Sequence, residues 1–547
     1  MPTSPADAAR TLPGDPPAAG PFDLAVIGAG PAGLAGAVTA ADRGLRCVLL
    51  DAGARPGGQF YRHPDPAMGA ARPDRLHHHW STFTALADRL AAHRQAGRIE
   101  LLTGHHVALL EAPTAGRPYW RLQARRPETH PADGGLTALH AGAVLLATGA
   151  HERQLPFPGW TLPGVVTAGG AQAMLKSSLV LPGRRIVVAG SGPLLLAAAA
   201  SLVAAGAEVP AVVEAGDYLG YARRPGVLAG VPGKLAEGAG YGATLARRAV
   251  RLRRRSAVVE AHGADNVTAV TVARLDADWR PLPGTERRIA CDALAVGHGL
   301  VPQLELATEL GAATRSVPDG TLALRVDAHQ RTSVPGLWAA GETCGVGGAE
   351  LALAEGELAA LSIAGEAAPP AALVSRRRRL RAFAELMAAA HRPGEGWPGW
   401  LRPDTEVCRC EEVPAERITE AVTELGAGDA RTVKLLTRAG MGWCQGRMCG
   451  PAVARLAGMA EPAPDRRPFS CPVRLGELAQ LGEPAGCAGG SAGSGDPAGS
   501  GGPAGAGELA GTSGEPTGSD ELAGTSGEPT GTEGPAGRDG SARLPGD

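Results

Sequence analysis

Residues 22–51 set a six-residue apolar run, FDLAVI, directly before Gly28-Ala29-Gly30-Pro31-Ala32-Gly33; an alanine-rich stretch to about Arg43 and a second apolar run ending at Asp51 follow. Few folds accommodate that order. An apolar run without alternation suits a strand buried on both faces of a parallel sheet. The three glycines supply a tight turn, a backbone that a diphosphate can approach, and close packing of helix on strand. The N–H groups opening the helix receive phosphate oxygens. Asp51, 18 positions past Gly33, ends the second strand, where a carboxylate accepts from ribose hydroxyls. A nucleotide site on Gly28, Gly30, Pro31, Gly33 and Asp51 is therefore expected.

A similar unit recurs at 185–214: strand IVVAG, turn Gly190-Ser191-Gly192-Pro193, a long apolar helix, EVPAVV and Glu214. Two units predict two dinucleotide-binding domains. The second departs from the pattern, because Leu195 stands where the third glycine belongs and keeps helix and strand further apart. With no arginine directly after Glu214, a pyridine nucleotide held by Gly190, Gly192 and Glu214 would be NAD rather than NADP. The alternative is a domain that kept its shape and changed or lost its ligand. Val187–Ala207 has 21 residues without a charge, enough to span a bilayer. Gly190, Gly192 and Pro193 break it, so we expect strand, turn and helix and no transmembrane segment. Three further apolar runs end in glycine turns, as strands facing a ligand do: AVLLATGAHER at 143–153, with Gly149, CDALAVGHGLVP at 291–302, and TSVPGLWAAGETCGVGG at 332–348.

The 53 Lys and Arg residues against 55 Asp and Glu leave a net charge of −2, so no global field draws the chain to nucleic acid or anionic lipid. Lysine occurs only at 176, 234 and 434. Nine cysteines are too few, and odd in number, for a disulfide scaffold. The N-terminus lacks a basic region followed by an apolar one, and a cytoplasmic location is expected. Arg376–Arg379 reads as a solvated helix face. His77–His79 and His105-His106 read as surface residues. His151 and Glu152 follow a strand end near the expected nucleotide, where a structural turn is the plain alternative. Beyond about residue 484 the chain is rich in Gly, Ala, Pro and Ser, repeats ELAGTSGEPTG at 508–518 and 521–531, and is expected to be disordered.

Four cysteines cluster: Cys408 and Cys410, then 33 residues, then Cys444 and Cys449 within GMGWCQGRMCGP. Four thiolates in two close pairs fit a tetrahedral zinc or a two-iron cluster. C-x-C with C-x4-C is unlike a zinc ribbon, and N–H groups of a glycine-rich loop suit cluster sulfides, which favours [2Fe-2S]. No C-x-x-C pair is present to run a dithiol shuttle, and neither a Ser-His-Asp arrangement nor an HExxH helix occurs.

GAGPAG, ATGAHERQLPFPGW, VTAGGAQAMLK, VAGSGP, AAGETCGVGG and CRCEE…GMGWCQGRMCGP together resemble one family. It comprises the flavoprotein subunits of heteromeric amine and imino-acid dehydrogenases: the A chain type of opine oxidase, the B subunit of hydrogen cyanide synthase, and hydroxyproline or proline dehydrogenase alpha subunits. The likeness runs from about residue 20 to 480. Its cysteine ending resembles the bacterioferritin-associated-ferredoxin-like (BFD-like) [2Fe-2S] domain, with Cys408, Cys410, Cys444 and Cys449 as ligands. The resemblance implies FAD in the first site, held by Gly28, Gly30, Gly33 and Asp51. It also implies a flavin-facing loop at Arg55–Gln59 with Gly58 and Gln59, and a late FAD motif at Gly341-Glu342, where Asp is commoner than Glu.

The fold implied is α/β: a glutathione-reductase-like flavoprotein with two dinucleotide-binding domains plus a small helical [2Fe-2S] domain. Expected boundaries are a disordered leader at 1–20, FAD-binding parts at 21–150 and 286–370, an inserted NAD-binding-like domain at 151–285, a helical linker at 371–404, the cluster domain at 405–460, an extension at 461–483 and the tail at 484–547. The function implied is a subunit that relays electrons from flavin to cluster while an amino acid, imino acid or opine is oxidised at its C–N bond. Implied partners are a small ferredoxin-like chain and a glycine-oxidase-like flavoprotein beta subunit. A stand-alone NAD(P)H-dependent reductase and a non-catalytic iron–sulfur interaction module remain the alternatives.

Overall fold

The computed structural model describes residues 20–126, 135–459 and 467–481. The expected leader (but for Gly20) and tail lie outside them. The chain divides into units at 1–485 and 486–547, the second wholly outside the described residues.

The first glycine unit builds the larger sheet. Strand β1 (Phe22–Ile27) leads through the turn into helix α1 (Pro31–Asp42) and strand β2 (Cys47–Asp51). With β3 (Ile99–Thr103), β4 (His106–Glu111), β5 (Trp120–Arg125) and β6 (Leu136–Leu146), the order is β3-β2-β1-β6-β5-β4. The strand Leu337–Ala339 also pairs with β6, in parallel. Apart from the exposed Asp23, the apolarity of FDLAVI is explained by its two buried faces. Leu24 and Val26 enter one core with α1 and the helix Ala349–Ile363, while Ala25 and Ile27 enter another with Trp120 and Leu122.

The second unit builds a five-stranded parallel sheet, with Ile186–Gly190 at its centre between Ala211–Glu214 and Ala293–Gly297. A three-stranded antiparallel sheet, Ser256–His262, Ala269–Arg274 and Arg287–Ala290, packs against it. Because Ala293–Gly297 pairs in this sheet, the inserted unit runs on to Gly297, past the 285 read from sequence. The 21-residue uncharged stretch forms strand, turn and helix as expected, and no helix among the described residues is long and apolar enough to cross a membrane.

After the helix Ala371–Ala390 and a turn at Trp397–Trp400 comes the cysteine module. It comprises a short β-pair (Glu406–Cys408 with Val413–Pro414) and helices Ala415–Thr423, Ala430–Thr437 and Gly450–Leu456. Asp429 caps the second of these by accepting from the Arg431 and Thr432 N–H groups. The module shares one core with the second dinucleotide domain: Ala215, Ala257, Leu275 and Trp279 pack with Trp397, Trp400, Val407 and Cys408. The segment 467–481 returns to the large sheet, where Glu477 pairs with Arg125 at 2.9 Å.

Two expectations need correction. Arg376–Arg379 is not simply a solvated face: Arg377 reaches Glu355 at 3.3 Å, and Arg381 one turn on is buried against the same carboxylate at 2.6 Å. Nor is His77 fully exposed: it is half-buried. Its Nε2 lies 2.5 Å from the Arg62 carbonyl and its Nδ1 3.1 Å from that of Pro73.

Candidate functional site

The first site forms where β1, β6 and Leu337–Ala339 end side by side. Gly33 is sterically required, since a Cβ there would overlap the carbonyl oxygen of Gly28. Gly30 differs: its nearest neighbour to a built Cβ is Gly58 Cα at 3.9 Å, so the turn keeps an open face for a ligand. Pro31 begins α1. The Gly57 N–H donates to the Ala29 carbonyl at 2.8 Å, which brings Gly58 and the exposed Gln59 beside the turn. Gly149 closes the far side, its carbonyl accepting from Gln303 at 3.0 Å. Gly341 follows Ala340, which donates to the Leu146 carbonyl at 3.0 Å. The sequence-read residues of the first domain thus converge.

Their carboxylates are already engaged. Asp51 accepts from the Ala29 N–H at 2.5 Å and the Gly53 N–H at 2.6 Å. Burial raises its carboxyl above the usual range, against those two bonds. Glu342 accepts from Gly347 and Gly348, each at 3.0 Å, so it fixes the glycine loop leading into the 349–363 helix; burial raises its carboxyl too. Sequence reading missed the group behind it. Glu355 is fully enclosed and accepts from the Gly341 N–H at 3.1 Å and from Arg381, which also donates to the Gly345 carbonyl at 2.6 Å. Helical spacing of Arg377 and Arg381 was the available signal.

The second site is closed by its own side chains. Glu214 has no exposed surface and accepts from the N–H groups of Gly192 at 3.1 Å and Gly216 at 2.8 Å and from the Tyr218 hydroxyl at 3.2 Å. His391, just past the 371–390 helix, lies over it with Nδ1 3.5 Å from the carboxylate and 3.3 Å from Ser191 Oγ. On its other side, His391 Nε2 lies 3.1 Å from the Tyr221 hydroxyl. Burial alone would raise the Glu214 carboxyl, but His391 and the two N–H groups outweigh it and hold it low. Gly190 is sterically forced by the Gly297 carbonyl, and Gly192 opens on empty space. The shape of a dinucleotide turn is kept while its acid is spent internally. Nothing in the sequence near Glu214 announces His391.

His151 and Glu152 separate. Glu152 accepts from Gly169 at 2.9 Å and Gly170 at 3.2 Å and is raised by burial, whereas His151 Nδ1 is buried without a partner.

In the cysteine module Cys408 and Cys449 are buried, Cys444 is half-buried and Cys410 is exposed. The thiols stand as two pairs. Cys449 donates to Cys408, which is pulled down to about 6 chiefly by that bond and by the Gly440 N–H at 3.4 Å, while Cys449 is pushed up. Cys410 pairs with Cys444 and is raised, first by burial. Among the described residues no group of three or more His, Cys, Asp or Glu is arranged to hold a metal ion. Two thiol pairs, with a backbone N–H already aimed at one sulfur, fit a two-iron centre taking four thiolates. The loop is anchored by Arg447, which pairs with Glu305 at 2.8 Å.

The model of the pyridine nucleotide-disulphide oxidoreductase family matches residues 22–357, and that of the BFD-like [2Fe-2S] binding domain matches 406–458. The chain belongs to the pyridine nucleotide-disulphide oxidoreductase family. Within it, the chain is 37% identical to the hydrogen cyanide synthase subunit HcnB of Pseudomonas aeruginosa, over 78% of this chain and 90% of that one. It is 32% identical to the A-type subunit of opine oxidase from Agrobacterium tumefaciens, over 84% and 92%. The L-proline dehydrogenase of P. horikoshii shares the fold at a TM-score of 0.57 and 20% identity, over 84% of this chain and 79% of that chain. This member of the oxidoreductase family thus joins the two-domain flavoprotein fold to a [2Fe-2S]-binding module, as the motifs implied.

Proposed function

We propose that this chain is the electron-relaying subunit of a heteromeric dehydrogenase that oxidises the C–N bond of an amino acid, imino acid or opine. The observation that carries the relay is the shared core: Ala215 and Trp279 of the second domain pack with Val407 and Cys408, and Trp160 Nε1 donates to the Glu406 carbonyl at 2.7 Å. A flavoprotein and a cysteine module built as one body suit electron passage better than two tethered parts. The relatives named as subunits of hydrogen cyanide synthase and opine oxidase support the C–N donor class and a multi-subunit setting. A glycine-oxidase-like flavoprotein and a small ferredoxin-like chain are the partners we assign.

Gly28, Gly30, Gly33, Gly58 and Gly341 would line FAD, and Cys408, Cys410, Cys444 and Cys449 would hold [2Fe-2S]. Bound there, the two supply a two-electron acceptor and a one-electron carrier, the combination that hydride removal with single-electron export requires. The protein's own groups do the rest. Asp51 braces the turn through Ala29, Glu342 fixes the glycine loop at 347–348, and the Gly440 N–H steadies the Cys408 sulfur as a thiolate. The enclosed Glu214 under His391 speaks for electrons entering from a partner rather than from NADH in the second domain.

The test is co-purification with a glycine-oxidase-like partner, then anaerobic addition of an amino- and imino-acid panel. Bleaching of the flavin absorbance by one of them is expected. Bleaching by NADH without a partner, or by none of the panel, refutes the proposal.

A further inference from the structure

Lys176 and Arg62 are cations that no carboxylate answers. Lys176 is 8% exposed, on the helix Ala168–Ser178, and its ammonium donates to the Phe60 carbonyl at 3.2 Å. An ammonium has three donors, and the other two have no partner among the described residues. Arg62 follows two residues on, with NH2 donating to Gln59 Oε1 at 2.8 Å and a buried Nε that meets no acceptor. The two cations are close enough to repel: burial first, then Arg62, brings the Lys176 amine down to about 8. Among the described residues neither has an ion-pair partner. The acid within reach of Arg62's field is Asp51, whose oxygens already accept from Ala29 and Gly53.

The Lys176 ammonium is enclosed and Arg62 is half-buried, and like charges so placed without a counter-ion are costly unless an anion joins them. Arg62 keeps a buried Nε–H without an acceptor beside the nitrogen that donates to Gln59, and a planar guanidinium matches a carboxylate. The flanking side is aromatic: the Lys176 nitrogen lies 5.6 Å from the Phe60 ring centroid, and Tyr61 meets Phe60 edge-on at 4.8 Å. Such a flank suits a small organic acid better than hydrated phosphate. Gln59, the exposed partner of Arg62, directly follows the Gly57–Gly58 loop of the first nucleotide site.

We propose that Lys176 and Arg62 form a carboxylate-binding site beside the Gly57–Gln59 loop, and that it takes the carboxylate of a small amino or imino acid. The choice of ligand rests on the proposed function above. The site itself does not.

The chain has three lysines, so competitive acylation reads Lys176 against Lys234 and Lys434 as internal references. FAD-loaded protein is treated with limiting acylating reagent and the three lysine peptides are quantified by mass spectrometry. N,N-dimethylglycine and pyrrole-2-carboxylate, which carry no competing primary amine, are expected to lower Lys176 labelling by roughly tenfold or more at saturation. The references stay unchanged. The corresponding amides and inorganic phosphate are expected to leave all three as they were. Arg62→Gln should abolish the protection, and Arg62→Lys, which keeps the charge, should retain part of it. Equal protection by the amides, equal protection by phosphate, or a Lys176 already unreactive in FAD-loaded protein without additive overturns the proposal. Amino-acid oxidation by the assembled enzyme with Lys176 unprotected sinks this inference and leaves the proposed function standing. Protection without any oxidation does the reverse.

Discussion

Glu355→Gln is the substitution whose consequence follows most directly from the structure. The carboxylate has no exposed surface and meets Arg381 at 2.6 Å, Arg377 at 3.3 Å and the Gly341 N–H at 3.1 Å. Glutamine keeps the size and removes the charge, leaving the buried Arg381 without its counter-ion; Arg377, 23% exposed, can turn toward water. Removing one partner of a buried pair costs about 3–5 kcal/mol. That loss falls on the contact between the 349–363 and 371–390 helices and on the Gly341–Gly348 loop. Hydrogen exchange of the Gly341 amide and of the 349–363 amides should therefore quicken by about a hundred- to several-thousandfold, and FAD retention should fall. A Glu355→Met/Arg381→Met double variant should recover half or more of the loss, because apolar packing replaces a buried pair well. Exchange within about threefold of the parent in Glu355→Gln, under roughly 0.7 kcal/mol, would refute the view that these charges clamp the loop.

Anaerobically prepared protein should hold iron and acid-labile sulfide in equal amounts, lost on Cys408→Ser or Cys449→Ser and retained on Cys47→Ser; zinc in their place refutes the cluster. Gly33→Ala should abolish flavin binding, read by absorbance after desalting, since the new methyl meets the Gly28 carbonyl. His298 is fully buried between Trp279 and Trp400, and burial holds it near 4, so the folded chain refuses a proton that the unfolded chain accepts from its ordinary value downward. Stability should be highest above about pH 6.5 and fall toward about pH 4, and His298→Gln should remove about 3 kcal/mol of that fall in chemical denaturation, while an unchanged pH slope would count against it. NADH should not bleach the flavin of the parent chain, and His391→Ala should raise the affinity of the second domain for adenine nucleotides, measured by calorimetry.

What the sequence disclosed was local. A strand, a glycine turn, a helix and an acid within 30 residues announce themselves, because all the steric constraints act between near neighbours. Gly33 against Gly28 and Asp51 against Ala29 are of this kind. So are the cysteines, whose chemistry shows in their spacing. What stayed hidden depends on contacts across long separations. Glu214 looks like a ribose acceptor until His391, 177 positions later, lies over it. Arg376–Arg379 looks solvated until Glu355 appears beneath one of its members. Lys176 gives only its rarity as a sign.

The segment read as a linker joins these hidden contacts. Its helix carries Arg377 and Arg381 to Glu355, and through Gly341 and Gly345 they hold the late motif of the first site. The residue after it, His391, closes the second site. A few residues further, Trp397 and Trp400 enter the core around Cys408, with Trp400 Nε1 donating to the Trp279 carbonyl at 2.8 Å. The single stretch 371–400 thus touches the first site, the closed second site and the cysteine module. Loosening it at Glu355 should then do more than release flavin: Tyr218, Tyr221 and His391 depend on the same helix for their register, so adenine-nucleotide affinity of the second domain should rise in Glu355→Gln as it does in His391→Ala. If the Glu355 variant sheds flavin while the second domain stays closed to nucleotide, the helix serves the two sites independently and the coupling is wrong.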